Sequence, residues 1–486
     1  MDLRQTTLKG IGWSFIDNIL GSGITFLVGI VLARILSPEE FGLIGILTII
    51  IGVSNIIIDS GFSNALIRKR NASKDDYNTV FYITLLLGII MYLLVFLISP
   101  YISLFFKEPL LTLLSRIISI VLIINSLSII PKTIFIKRID FKVQAVVSAI
   151  SSIISGIIGI FLAIYGFGIW SLVSQILSKQ LINTILLWYY TSWRPNLIIS
   201  VNSFRELFGF GSKLMIAGII DTIYTNISQI VIGKFYSTNQ LGQYTRAQQF
   251  QSIFSSNLTA VIQRVTYPVL SEIQEDQLKL RELYRKFVQA TMLVTFFTMF
   301  CLAAISTPLL INLIGDKWKE ASHYLTIICL SGALYPVQSL NLNMLQIKGR
   351  SDIFLKIEII KKILGIVPIL LGIFYSIESM LWSTVILSII SYILNSYNLK
   401  YLISYSTLDQ TKDILPYLII SLLVSSVAYA LPYFLGNGLF ILFLQLMVIF
   451  FTTFVIYKTT NNKIYNELEN IFLVRIRKTF KHGLQE

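Results

Sequence analysis

Residues 438–457 read GLFILFLQLMVIFFTTFVIY, a stretch without a single charged side chain. A helix needs about 20 mostly apolar residues, at a rise of about 1.5 Å each, to cross the hydrocarbon core of a bilayer. This stretch therefore predicts a membrane-spanning helix. Other stretches of similar length and apolar character occur along the whole chain, so the expected fold is an all-α, polytopic membrane protein with about 14 transmembrane helices.

The predicted spans are joined on one side by connections of only a few residues, which leave no room for a soluble domain. The first span is too long for the apolar region of a cleavable signal peptide, so we expect it to be retained. The predicted bounds are 10–36, 41–66, 78–99, 112–131, 143–165, 168–190, 212–235, 248–267, 287–311, 323–346, 353–374, 377–398, 414–434 and 438–457.

The charge distribution predicts the orientation of these spans. The chain carries a formal net charge of +14, yet only 13% of its residues are charged and 55% are hydrophobic. Lys and Arg cluster in the connections on one side, whereas the opposite connections hold Lys107, Lys317 and Lys319. The positive-inside rule explains this asymmetry better than a nucleic-acid partner does. We expect a cytoplasmic (inner) membrane protein with both termini in the cytoplasm.

Composition also limits the chemistry. Cys301 and Cys329 both lie inside apolar runs, and His323 and His482 are isolated, so neither a metal site nor a disulfide is predicted. No phosphate-binding loop, dinucleotide fingerprint or nucleophile elbow occurs. We therefore expect no catalytic residue and no cofactor, apart from H⁺ or Na⁺ as a coupling ion. Two amphipathic connections, 191–211 and 268–286, predict helices lying at the membrane interface.

An internal repeat appears when the chain is compared with itself at an offset of 200 residues. Ile30, Val31, Arg34, Ser37, Phe41 and Gly42 then meet Ile230, Val231, Lys234, Ser237, Leu241 and Gly242. Six spans separate the two copies, so they have the same orientation and predict two parallel lobes around a central cavity. The predicted organisation is an N-lobe at 1–211, a C-lobe at 212–398, two extra spans within 399–457 and a basic cytoplasmic tail at 458–486.

Charged side chains inside the predicted spans are the main functional candidates, because burying a charge in a membrane is costly. Several of the cations lie near span ends, where snorkelling to the headgroups or interfacial anchoring is an alternative. The aspartates are candidates either for ion coupling or for pairing with the cations. The cations are Arg34, Arg116, Lys179, Lys234, Arg246 and Arg264, and the aspartates are Asp17, Asp59 and Asp221.

Spans 8 and 10 are rich in side-chain amides. An amide facing lipid loses hydrogen bonds that it cannot replace, so both spans are expected to line a wet cavity, although helix–helix contacts could satisfy some of these groups. Gln263, Gln338 and Asn341 join the candidate binding residues on this ground.

The stretch LARILSPEEFGL at 32–43 resembles the opening motif of bacterial polysaccharide flippases in the multidrug/oligosaccharidyl-lipid/polysaccharide (MOP) superfamily, with the colanic-acid and teichuronic-acid exporters as the nearest branch. Further similar stretches follow in order: DSGFSNALI at 59–67, FIKRIDF at 135–141, GFGIWSL at 166–172, WRP at 193–195, GQYTR at 242–246 and YPVLS at 267–271.

This resemblance implies a two-lobed bundle that alternates between inward-open and outward-open states and flips an undecaprenyl-diphosphate-linked sugar repeat unit. It also implies a cationic cavity, coupling to an ion gradient, and a polysaccharide polymerase and glycosyltransferases as possible partners. Two alternatives stay open: an ion-coupled small-molecule exporter of the same superfamily, with Asp17 and Asp221 binding the ion, and a membrane glycosyltransferase or ligase. The short outer loops and the lack of an acid/base pair disfavour the enzyme.

Overall fold

Residues 21–436, 438–460, 462, 464–467 and 469 are described by a computed structural model of the chain. Every regular element in this part of the chain is helical, which confirms the predicted fold class. The contacts divide the chain into two compact units, Met1–Thr245 and Arg246–Glu486. This division falls later than the lobe boundary predicted after residue 211.

The first unit contains the helices from α1 to the start of α10. A break at Ser60 and Gly61, which both have positive φ, separates α2 from α3. The helices are α1 (Gly21–Ile35), α2 (Pro38–Asp59), α3 (Phe62–Arg68), α4 (Lys74–Phe106), α5 (Leu110–Ile118), α6 (Ile120–Lys137), α7 (Phe141–Ile164), α8 (Ile169–Tyr190), α9 (Val201–Phe235) and α10 (Thr238–Glu272).

The second unit contains the rest of α10 and the helices that follow it. Its central element is α11 (Gln277–Ile314), which contributes more residues than any other helix to a large buried apolar cluster. A short 3₁₀ turn, Asp316–Trp318, leads into α12 (Lys319–Gly332). The remaining helices are α13 (Tyr335–Ile347), α14 (Ser351–Leu364), α15 (Ile366–Phe374), α16 (Ile377–Tyr397), α17 (Leu399–Ile403), α18 (Thr407–Leu435) and α19 (Leu439–Thr459).

Ten helical segments in the described part of the chain are long and apolar enough to cross a membrane. Three of them join adjacent helices across a short break, as at Ser119 between α5 and α6. The ten are Pro38–Asp59, Lys74–Phe106, Leu110–Lys137, Phe141–Ile164, Val201–Phe235, Gln277–Ile314, Asp316–Ile347, Ile377–Ile403, Thr407–Leu435 and Leu439–Thr459.

Helices also occupy the other four predicted spans, at α1, α8, α10 and the α14–α15 pair. Each of these is shorter, more polar or interrupted. The first predicted span begins at residue 10, and its first half lies outside the described residues. Fourteen crossings, the arrangement in two six-helix lobes and the basic tail therefore stay predictions.

The two predicted interfacial helices are wrong as separate elements. Residues 191–200 are not helical, and residues 201–211 form the first turns of α9, which continues without a break into its apolar part. Residues 268–272 end α10, and residues 277–286 begin α11. The amphipathic turns are helical, but no break separates them from the apolar spans beside them, so each is continuous with its neighbouring span.

The two copies of the repeated motif form the same local structure. Ser37 caps α2, and its backbone N–H donates to Glu40 Oε2 at 2.7 Å while Glu40 N donates to Ser37 Oγ at 3.4 Å. At the equivalent positions, Ser237 N donates to Gln240 Oε1 at 3.4 Å and Gln240 N donates to Ser237 Oγ at 3.2 Å. Both are capping boxes, which satisfy the free N–H groups at a helix start.

These two helix starts pack against each other through their glycines. A Cβ atom on Gly42 would overlap the carbonyl oxygen of Thr238, and a Cβ atom on Gly242 would overlap that of Pro38. Residues 38 and 238 are themselves equivalent in the repeat, so the contact is reciprocal. Only glycine allows backbones to approach this closely.

We therefore expect Gly42→Ala to lower the stability of the protein, and Gly242→Ala to do the same, each by about 1–3 kcal/mol or more, because the added methyl group must push two backbones apart. The measurement is the melting temperature of the purified protein in detergent.

Gly23→Ala is the matched control, since α1 leaves open space around Gly23. Alanine favours the helix by about 1 kcal/mol there. Equal melting temperatures for Gly42→Ala and Gly23→Ala would contradict the close contact.

Candidate functional site

A polar pocket of about 440 Å³ lies within the first unit, where α2, α3, α6 and α9 meet. The helix break at Ser60 and Gly61 forms one wall, because it turns the chain from α2 into α3. The lining residues are Asn55, Ile56, Asp59, Gly61, Ser63, Asn64, Asn125, Ser128, Ile129, Lys132, Thr133, Ile136, Leu214, Met215 and Gly218.

Two of the lining residues, Asn55 and Asn125, belong to a chain of hydrogen-bonded side-chain amides. Asn125 Nδ2 donates to Asn55 Oδ1 at 2.8 Å, and Gln180 Nε2 donates to Asn125 Oδ1 at 2.9 Å. The three side chains belong to α6, α2 and α8, so the network ties three helices together. Side-chain amides linked in this way fix one another's orientation, and they are well suited to present defined donors and acceptors to a ligand.

Asp59 supplies the carboxylate of the pocket. Its Oδ1 accepts hydrogen bonds from the backbone N–H of Ser63, at 3.3 Å, and from the Ser63 hydroxyl. Thr133 Oγ1 in turn donates to Ser63 Oγ at 3.2 Å. Lys132 supplies the one ammonium among the lining residues, and its side chain is exposed. The pocket therefore contains one negative and one positive side chain.

The basic residues beside the pocket are engaged in structural contacts. Lys69 Nζ lies 2.9 Å from carboxylate oxygens of both Asp76 and Glu206, and hydrogen bonds to these groups raise the pKa of Lys69. Lys137 Nζ donates to the carbonyl oxygens of Leu66 and Lys69. These lysines thus anchor the turn between α3 and α4 to α6 and α9.

A second, smaller pocket of about 270 Å³ adjoins this turn and is lined in part by Arg68 and Phe210. The Arg68 guanidinium carbon lies 4.5 Å from the centre of the Phe210 ring. This distance is typical of a cation–π contact.

Three of the predicted cations have neutral partners within the first unit. Lys179 Nζ donates to Thr25 Oγ1 at 2.8 Å, which links α8 to α1. Arg116 Nε donates to Ser99 Oγ at 3.0 Å and stacks on Phe96 at 4.4 Å. The third, on α9, is Lys234, which donates to the Phe105 carbonyl oxygen at 2.5 Å and lies 4.2 Å from the centre of that ring.

The other three cations are placed differently. Arg246 is 2% exposed in the second unit, where Nη1 donates to Gln249 Oε1 at 2.6 Å and the guanidinium lies 5.6 Å from the centre of the Trp318 ring. Arg34 on α1 and Arg264 on α10 are exposed. The structure thus places none of the six cations among the residues that line the polar pocket.

The predicted amides are engaged in helix packing within the second unit. Asn341 is completely buried, where its Oδ1 accepts from Tyr284 and from Gln410 Nε2 and its Nδ2 donates to Gln410 Oε1 at 3.0 Å. Gln338 Nε2 donates to the carbonyl oxygen of Ser388 at 2.9 Å, and Gln263 donates to Ser339. The alternative left open by the sequence, satisfaction by helix contacts, is the one observed.

Of the predicted aspartates, only Asp59 lines the polar pocket. Asp221 is exposed on α9, and Asp17 lies outside the described residues. No group of three or more His, Cys, Asp and Glu side chains that could hold a metal ion occurs among the residues that the structure describes.

Sequence reasoning missed most residues of this pocket. The usable signal is spacing: Asn125, Ser128 and Lys132 recur on one face of α6, and Asn55 precedes Asp59 by one helical turn on α2. A polar stripe with helical period inside an apolar helix indicates a face turned away from lipid.

Comparison with known proteins gives consistent results. A family model described as polysaccharide biosynthesis protein matches residues 31–323. The lipopolysaccharide biosynthesis protein WzxC of Escherichia coli is 26% identical over 378 residues, which cover 76% of each chain. The succinoglycan biosynthesis transport protein ExoT of Rhizobium meliloti is also 26% identical, over 68% of this chain and 67% of the relative.

Solved structures share the fold. The lipid II flippase MurJ, in an inward closed conformation, aligns with a TM-score of 0.72 over 94% of this chain and all of the other, at 16% identity. An inward-facing multidrug resistance transporter of the MATE family and MOP superfamily aligns with a TM-score of 0.59, over 80% of this chain and 98% of the other, at 14% identity. At these identities the likeness establishes the fold alone.

The buried position of Asn341 leads to a test. We expect Asn341→Ala to lower the free energy of unfolding by about 2–3 kcal/mol, because it leaves the Tyr284 hydroxyl and the Gln410 amide buried without a partner. Thermal unfolding in detergent measures the effect.

Asn343→Ala on the same helix serves as the control, since the buried Asn343 Nδ2 makes no hydrogen bond in the described part of the chain. An Asn341→Ala variant as stable as Asn343→Ala would contradict this packing role for Asn341.

Proposed function

Because the chain belongs to the polysaccharide biosynthesis protein family of the MOP superfamily, we propose that it is a flippase that moves a lipid-linked oligosaccharide across the cytoplasmic membrane. The product would serve surface polysaccharide synthesis. The observation that carries this proposal is the family match, which spans more than half of the chain. The chain is accordingly a transporter and not an enzyme.

The charge pattern of the first unit supports an anionic cargo. Moving a diphosphate through a region of low dielectric requires cations that offset its charge. Lys179, Arg116 and Lys234 are held by hydroxyl, carbonyl and aromatic groups, and none of the contacts described for them is an ion pair. Their charges are therefore available to an anion, unlike that of Lys69, which two carboxylates already offset.

We take these three as the leading candidates for diphosphate contact, with Arg34, Arg246 and Arg264 as further candidates. Lys179 ranks first because its position on α8 is within a predicted span and its described partner is a hydroxyl group and not a carboxylate. The carboxylates of Asp17, Asp59 and Asp221 are candidates for coupling to H⁺ or Na⁺ in the same scheme.

The alternative within the superfamily is an ion-coupled exporter of small molecules. Fold does not separate the two, because both a lipid flippase and multidrug transporters are structural neighbours. The family match favours the flippase, and so do the cations without a carboxylate partner, because each of them would repel a cationic drug. Membrane-embedded glycosyl transfer has no support from the relatives, among which ExoT is named a transport protein.

The protein is a multi-pass membrane protein, and the bacterial relatives are consistent with the inner membrane. We further propose that both termini face the cytoplasm. In this scheme glycosyltransferases act before the flipping step and a polymerase acts after it.

Deletion of the protein in its native host should stop surface polysaccharide production and cause the lipid-linked oligosaccharide to accumulate on the cytoplasmic leaflet. Extraction of labelled lipid-linked sugars and a surface glycan assay measure the two effects, and plasmid-borne wild-type protein should reverse both. A deletion strain with normal polysaccharide and raised drug sensitivity would favour the small-molecule exporter instead.

Lys179→Gln should reduce export by about tenfold to a hundredfold, because glutamine can still donate a hydrogen bond to Thr25 but has no charge to offer the diphosphate. This range corresponds to the loss of one charge-assisted hydrogen bond between Lys179 and the diphosphate. Lys179→Arg should restore much of the export, and Thr25→Val should leave it close to normal. Quantified surface polysaccharide at matched protein levels is the readout. Wild-type export by Lys179→Gln would remove this residue from the mechanism.

A further inference from the structure

We infer that the polar pocket of the first unit binds the sugar portion of the substrate and not its diphosphate, an inference that rests on the proposed function. The volume of about 440 Å³ lies within the range of about 300–1,000 Å³ that is usual for small-molecule sites. The pocket is formed entirely by residues of one unit and needs no contribution from the other.

The charge balance of the pocket argues against a diphosphate. Its lining contains one carboxylate, Asp59, and one ammonium, Lys132, so it has no excess of positive charge. A diphosphate is bound by several cations, often by arginines that bind two oxygens at once. The neighbouring cations are already engaged, since Lys69 pairs with two carboxylates and Lys137 binds two backbone carbonyl oxygens.

The hydrogen-bonding groups of the pocket suit a sugar. Asn55 uses its Oδ1 to accept from Asn125, and Asp59 uses its Oδ1 to accept from Ser63. In the described part of the chain, no hydrogen bond engages Asn55 Nδ2, Asp59 Oδ2 or the side chain of Asn64. The pocket therefore offers both donors and acceptors, and each hydroxyl of a sugar can act as either.

Apolar side chains complete the match. Ile56, Ile129 and Met215 line the same pocket as the amides. A sugar ring has C–H faces as well as a hydroxyl edge, so it can pack against these side chains while its hydroxyls bind the amides. Because an acidic sugar would bring a second carboxylate beside Asp59, the pocket fits a neutral or N-acetylated sugar.

This assignment separates two tasks in the first unit. Cations with neutral partners, such as Lys179, would offset the diphosphate, whereas the neutral pocket would hold the attached sugar. Ser63 and Asn64 of the pocket lie on α3, which ends at Arg68 and leads into the turn before α4, on the side predicted to be cytoplasmic. A lipid-linked sugar made in the cytoplasm would thus meet the pocket before translocation.

Photo-crosslinking in cells tests the inference without knowledge of the glycan. The photoreactive residue p-benzoylphenylalanine replaces Asn64, or in a second variant Leu214, in cells labelled with tritiated sugar and radioactive phosphate. Leu197, which is 91% exposed and outside the pocket, provides the control position. After irradiation the protein is purified, and mild acid cleaves the bond between sugar and phosphate.

The expected result is tritium that stays on the protein after acid while the phosphorus label is lost, at both pocket positions and above the Leu197 level. Asn55→Ala should lower this tritium labelling about tenfold at limiting substrate, the effect of one lost hydrogen bond. Because benzophenone inserts into C–H bonds, which a diphosphate lacks, tritium that is lost on acid treatment would show that the pocket holds the lipid end of the substrate beside the diphosphate, and labelling equal to the Leu197 control would show that it holds neither part. Either result overturns the inference.

The same strains separate this inference from the proposed function. Surface polysaccharide is measured in the deletion strain carrying wild-type protein or each probe variant. If deletion leaves export normal, the proposed function is wrong. If export depends on the protein, yet no sugar is attached at Asn64 or Leu214, only the assignment of the pocket is wrong.

Discussion

A polypeptide that crosses hydrocarbon must satisfy every backbone N–H and C=O group within its own segment, because no water is available to do so. This constraint accounts for the helical character of every regular element in the described chain. It also explains how helices begin. Capping boxes at Ser37 and Ser73, and again at Ser406, satisfy the N–H groups that a helix leaves free, and positive-φ residues turn the chain between successive helices.

The same constraint applies to polar side chains and separates them into two kinds. Several in the second unit are engaged in packing: Asn341 and Gln410 exchange two hydrogen bonds, and Arg285 binds both carboxylate oxygens of Asp413. Such groups stabilise one helix arrangement and have little capacity left for a ligand. In the first unit, by contrast, the pocket amides and Lys179 retain donors or charge that the protein does not use.

Close contact between backbone atoms also fixes the arrangement of helices in the first unit. The reciprocal approach of Gly42 and Gly242 brings the starts of two equivalent helices together, and each start is fixed by its own serine cap. A contact made by backbone atoms has little tolerance for added volume, so it holds these helix starts in one register. The repeated sequence thus contributes a close helix–helix contact as well as a pair of similar spans.

The sequence by itself determined the fold class, the position of a helix at each predicted span and the family, because apolar length and ordered local motifs are properties of a linear stretch. It also identified the individual charges and the repeated cap. It did not determine which polar groups meet. Asn341 was expected in a cavity and is buried among helices, while Asn55, Asn125 and Ser63, which line the pocket with Asp59, were not singled out. These outcomes depend on the rotation of each helix about its axis and on breaks such as Ser60–Gly61. Both are decided by packing between residues far apart in sequence, and only the tertiary structure contains that information.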